Sequence, residues 1–216
     1  MFTRSKHIAP RAIALLAAIL STAALGIALL TSPSIAQPVS DQTSTVLDPV
    51  GDAHHHAPAF QDVVFAQITE TAGGDFNLLM EMAGPVPVNP PLPPPGHNEI
   101  WWVWGFDLDP NTAPAGYPLL KAYASPEFIV YVSWDGAEFA GTAVDRRPLL
   151  TGGEAIITPV TFSINGTIVQ ADLAYTLIGA VPTSFGWFAE TLAWSGPVGL
   201  SEGFHFLDAA HTVFNP

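Results

Sequence analysis

Asp107, Asp109 and Asn111 place oxygen donors at alternate positions of the run Asp107-Leu108-Asp109-Pro110-Asn111. A hard cation such as calcium takes about 6–8 oxygen ligands, and alternate side chains leaving an extended strand can converge on one point. The chemistry expected of this turn is therefore calcium binding, with Asp107, Asp109 and Asn111 as ligands. The position where an EF-hand carries a bidentate glutamate is Pro118 here, so the loop is not an EF-hand. The same residues also suit a polar turn in which an Asp side chain accepts a nearby backbone N–H. A second acidic turn, Asp48-Pro49-Val50-Gly51-Asp52, either adds cation ligands or caps the first strand.

Other constellations carry less. His54-His55-His56 offers imidazoles, but only alternate residues of an extended chain face one way, so His54 and His56 would need His97, His205 or His211 to complete a metal site. Gly199-Leu200-Ser201-Glu202-Gly203 matches the form Gly-x-Ser-x-Gly. A nucleophile elbow needs a strand, a turn and a helix; no helical pattern follows Ser201, and the two glycines read as turn residues. Glu99, Glu127, Glu138 and Glu190 are spread over expected strands, and a glycosidase would need two of them at a set separation in space. There are no cysteines, which removes thiolate chemistry. The expectation is a protein without catalysis. Of the six tryptophans, most belong to the core by their strand period; Trp101 and Trp134 are the two expected to present a ring face to a ligand such as a sugar.

These residues must be positioned by strands. Phe60–Thr69 and Phe76–Met82 flank Gly73-Gly74-Asp75, a hairpin signal. Glu99–Asp107 contains Trp101, Trp102 and Trp104 and is apolar on both faces, so it is expected at the centre of a sheet, covered on both sides. Further strands are expected at Glu127–Trp134, Glu138–Val144, Ala155–Ile164, Thr167–Leu177, Gly186–Trp194 and Gly203–Leu207. Asp135-Gly136 and Asn165-Gly166 suit type I′ turns, and Asn165-Gly166-Thr167 is also a glycosylation sequon. The proline-rich Pro85–Pro95 segment reads as a stiff loop. No segment keeps a helical period for long; at most one short helix is expected, near Pro114–Ala124 or Pro182–Phe185. Short strands with Gly and Pro turns imply an all-β fold, a two-layer antiparallel β-sandwich.

The first 36 residues set the compartment. Arg4, Lys6 and Arg11 precede the uncharged run Ala12–Leu30, and Ser34-Ile35-Ala36 follows with small residues where a signal peptidase cuts. Residues 1–36 are thus expected as a signal helix, 37–47 as a flexible leader and 48–216 as one sandwich domain. The run approaches the ~20 residues that span a bilayer, so an uncleaved segment would be a membrane anchor. Cleavage leaves Lys121, Arg146 and Arg147 against 19 acidic residues. That surface repels phosphate backbones, which excludes nucleic acid as a partner. The expected location is secreted, periplasmic or extracellular.

The order of these elements resembles that of secreted bacterial β-sandwich domains grouped with family 9 carbohydrate-binding modules and the DOMON-type fold. The residues that carry the resemblance are the Asp48–Asp52 opening, the Asp62-Val63-Val64 strand, the Trp-rich strand ending in Asp107-Leu108-Asp109, and Glu127-Phe128-Ile129-Val130 leading into Trp134-Asp135-Gly136. The resemblance implies a jelly-roll-like sandwich, sugar or haem binding and sometimes calcium, with Asp107 and Asp109 in an acidic turn after a central strand. The chain departs from the pattern in its Pro85–Pro95 insertion and its His54–His56 loop. The leading expectation is a binding module for extracellular glycan or a cell-surface component, stabilised by calcium. The alternatives are a structural or protein-interaction domain of the envelope and, third, a hydrolase.

Overall fold

The computed structural model describes residues 40–55, 57–92, 96–112, 126–194 and 204–214. The expected signal segment, the helix near Pro114–Ala124, His56 and the Gly199–Gly203 motif lie outside them. No described helix is long and apolar enough to cross a membrane.

Eleven strands run in the order β1 (Gln42–Leu47), β2 (Val63–Glu70), β3 (Phe76–Met82), β4 (Glu99–Asp107), β5 (Phe128–Trp134), β6 (Phe139–Asp145), β7 (Ile156–Pro159), β8 (Phe162–Asn165), β9 (Ile168–Leu173), β10 (Phe185–Trp194) and β11 (Phe204–Phe214). They form two antiparallel sheets, β1-β2-β3-β9-β8 and β11-β10-β4-β5-β6-β7. The all-β sandwich expected from the alternation is the architecture found. β4 lies inside the larger sheet, between β10 and β5. Its Ile100, Trp102, Trp104 and Phe106 enter the core between the sheets, where they meet Ile68, Phe76, Leu78 and Met80. Trp101 and Val103 are buried on the opposite face with Ile129 and Leu192.

Four local readings change. Gln42–Leu47, expected within a flexible leader, is the edge strand β1. Its polar and β-branched residues alternate between exposed and half-buried as it pairs with β2, which is what an edge strand with one covered face requires. The single strand expected over Ala155–Ile164 breaks at Pro159-Val160-Thr161. β7 stays in the larger sheet and β8 crosses to the smaller one; proline has no N–H to extend a ladder. The short helix lies at Tyr175–Ile178 (α1), after β9. The hairpin turns close one residue later than the Asn-Gly and Asp-Gly reading. Asn165 pairs with Ile168 across Gly166-Thr167, and Asp135 N–H reaches Glu138 O across Gly136-Ala137. Gly166 and Gly136 supply the left-handed first position, with φ of 62° and 93°.

Gly105 is required for a different reason. A Cβ built there would sit 2.1 Å from Cζ of Phe188, whose ring lies over the β4 backbone. Gly105→Ala is expected to cost about 1–3 kcal/mol by overpacking, measured by urea unfolding; an unchanged midpoint would refute the close approach.

Candidate functional site

An acidic corner forms where the edge strands of the two sheets meet, β1 from one and β11 from the other. The chain leaves β1 at Asp48, whose N–H still bonds Val64 O (3.1 Å), and loops through Gly51, Asp52 and His54 to a 3-10 turn at Ala59–Gln61 before β2 begins. β11 carries a bulge. Asp208 pairs with Thr191 and Phe206 with Leu192, which leaves Leu207 unmatched in the β10 ladder. The freed Leu207 carbonyl accepts His54 N–H (2.7 Å) and draws the loop onto β11.

Asp208 shares the inward face of β11 with Ala210 and Phe214 of the core. Its Oδ2 accepts Val63 N–H (2.6 Å) and its Oδ1 accepts Ala209 N–H (2.9 Å). Val63 stands at a second bulge, where the β2–β3 register shifts. Oxygens of Asp48, Asp52 and Asp208 lie within 4.8 Å of one another. Asp62, 6% exposed, faces the same loop: its Oδ2 accepts Gly51 N–H (2.8 Å). Oδ1 of Asp62 and Oδ2 of Asp48 are buried with no hydrogen-bond partner. Beneath them Gln61 is fully buried; its backbone carbonyl accepts Thr191 Oγ1–H (2.6 Å), while neither side-chain amide atom has a partner.

The electrostatics follow from this crowding. Burial, then the charges of Asp52 and Asp62, push Asp48 up to about 6 against the pull of its hydrogen bond with Asp208. Burial, then the charges of Asp48 and Asp52, push Asp208 up to about 7 against bonds from Val63 and Ala209. Both groups therefore hold protons at higher pH than an exposed carboxylate does. Among the described residues no arginine or lysine charge contributes to either shift.

The expected ligand turn lies elsewhere. Asp107 pairs with Gly186, whereas Asp208 lies level with Thr191 and Trp102. Asp109 Oδ1 accepts both Asn111 N–H (3.0 Å) and Asn111 Nδ2–H (2.9 Å), so these two residues form an Asx-type turn with each other. Those bonds hold Asp109 below the usual carboxylate range. Glu127 closes the turn, accepting Leu108 N–H (2.7 Å) and a bond from Thr112 Oγ1. Burial, then Glu127 and Asp109, push Asp107 up to about 6.

Trp101 stacks on Tyr131 with ring centroids 4.4 Å apart, and its Nε1–H donates to Glu99 (2.6 Å); the residue is 7% exposed. Trp134, 4% exposed, packs on Phe139 inside the core and offers no open ring face. His54 and His55 lie ring to ring at 4.3 Å. A separate open recess of about 500 Å³ lies beside α1, with Thr71, Asp75, Asn77, Thr161, Asp172 and Leu177 in its wall.

Asp62 and Asp208 are the residues that sequence reasoning missed as partners of the Asp48–Asp52 turn. For Asp208 the usable signal was a carboxylate set between the apolar pairs Phe206-Leu207 and Ala209-Ala210.

No protein-family model, curated protein or solved structure matches this chain. The fold and the site therefore rest on the geometry alone.

Proposed function

We propose that the chain is a non-catalytic, exported binding module for an extracellular carbohydrate or a cell-surface component, with calcium as a structural ion. The observation that supports this reading is the recess beside α1. Asn77 and Asp172 face each other across β3 and β9, and Thr161 Oγ1 donates to Asp172 (3.0 Å). Asp75 accepts the N–H of Tyr175 and fixes the rim (2.7 Å). Carboxylate, amide and hydroxyl groups beside Leu177 and Val160 suit a sugar, which presents hydroxyls at its edge and C–H groups on its face. The two tryptophans expected to stack on a ligand are buried, so polar contacts lead in this version of the reading.

Calorimetry against a panel of soluble glycans is expected to give saturable binding that falls at least tenfold in the Asn77→Ala/Asp172→Ala double variant. A flat response across the panel would remove the carbohydrate reading. One observation favours a protein-interaction role instead: the edge strand β7 exposes Ile156 and Ile157 at 56% and 68%. An unpaired edge with apolar side chains is a template for another strand.

A further inference from the structure

We infer that Asp48, Asp52, Asp62 and Asp208 form a calcium site that fastens the Asp48–Ala57 loop to β11. The inference rests on the calcium part of the reading above and moves the ion away from the Asp107–Asn111 turn.

Three observations carry it. First, oxygens from three carboxylates converge within 4.8 Å. Calcium takes oxygen ligands at about 2.3–2.6 Å in flexible geometry, so oxygens this close can share one ion, whereas magnesium demands near-ideal octahedral order. Second, Asp62 is buried and keeps Oδ1 without a donor while Gly51 N–H holds its other oxygen toward the loop. A buried carboxylate oxygen with nothing to bind is rare in a native protein, and a cation is the partner that satisfies it without a proton. Third, both arginines among the described residues have partners away from the corner. Arg146 donates to Pro126 O, and Arg147 is paired with Asp145. The converging donors are carboxylate oxygens, which suit a hard cation better than a transition metal.

The ligands come from three separate stretches: the exit of β1, the entry to β2 and the middle of β11. A cation held by all of them ties the facing edges of the two sheets together, as the Trp187 Nε1–H bond to Ser44 farther along links β10 to β1 (2.9 Å).

The test is calorimetric titration of calcium chloride into the purified, chelator-treated protein, with thermal denaturation in parallel. Saturable binding of one ion per chain is expected, with magnesium at least tenfold weaker. Tm should rise by about 5–10 °C at a hundredfold excess over Kd. Asp62→Asn and Asp208→Asn are expected to weaken calcium at least tenfold, and Asp109→Asn to leave it unchanged. Should a buried variant fail to fold, the exposed Asp52→Asn serves the same purpose. Calcium binding lost in Asp109→Asn but kept in Asp62→Asn and Asp52→Asn would overturn this site while sparing the calcium reading. No saturable heat and superimposable melts would overturn both.

Discussion

Trp102→Ala is expected to remove about 4 kcal/mol of folding stability, the largest single loss anticipated for this protein. Its side chain is fully buried between the sheets. Truncating a core aromatic costs about 3–5 kcal/mol through lost transfer energy and the cavity left behind. The indole also donates to Phe60 O (3.1 Å). That carbonyl belongs to the 3-10 turn that leads into Asp62, so losing the donor strands a buried acceptor at about 1 kcal/mol. Trp102→Phe separates the two effects: it keeps most of the volume and loses the hydrogen bond, for an expected loss of about 2 kcal/mol. Urea unfolding followed by circular dichroism measures both. A loss for Trp102→Ala of under about 0.5 kcal/mol, the range of surface substitutions, would contradict the placement of this ring in the core.

The residues that made the fold legible are those whose burial is decided by their neighbours in sequence. Glu99–Asp107 is readable because a short run that is apolar on both faces has to be covered on both sides, and β4 is accordingly an inner strand of its sheet. Gly73-Gly74 marks the β2–β3 hairpin for the same local reason, and Gly74 adopts the positive φ the turn needs. The acidic corner is of another kind. Asp208 meets Val63 across 145 residues of sequence, and neither the bulge that aims Asp208 nor the one that frees Val63 N–H leaves a local signature. Asp107, Asp109 and Asn111 stood out because their spacing is compact. Compact spacing lets Asp109 and Asn111 satisfy each other, whereas carboxylates supplied by distant strands have no such choice and stay crowded. Trp134 followed the same logic in reverse. It was expected to present a ring face, but Phe139, its cross-strand partner, covers it.

Glu127→Ala is expected to cost about 2 kcal/mol, a balance between two opposed effects. Glu127 is buried and accepts bonds from Leu108 N–H, Asp109 N–H and Thr112 Oγ1. Hydrogen bonds to a charged group contribute about 1.5–3 kcal/mol where they are good, and the 3.4 Å bond from Asp109 is a weak one. Against this, removing Glu127 relieves repulsion on Asp107, which is raised first by burial and then by Glu127. Asp107 is partly solvated, so that relief is screened to well under the full shift, about 1 kcal/mol. The hydrogen bonds win. The pH dependence tests the raised Asp107 itself, burial and repulsion together. Asp107 titrates near 3.8 when unfolded and near 6 when folded, so between those values the folded state holds more of its proton. Its contribution is most favourable below pH 3.8, declines as pH rises through 6, and is constant above. Asp107→Asn removes the titration. The stability difference between Asp107→Asn and the parent should therefore grow in favour of the variant from pH 4 to pH 6.5, by about 1 kcal/mol after screening, and then level off. Asp48 and Asp208 impose a slope of the same sign on both proteins, and it cancels in the difference because the two corners share no partner among the described residues. A difference independent of pH would mean that neither burial nor Glu127 raises Asp107 in the folded state. A difference growing in the opposite direction would mean that its carboxylate is held by a cation, which would return the ion to this turn.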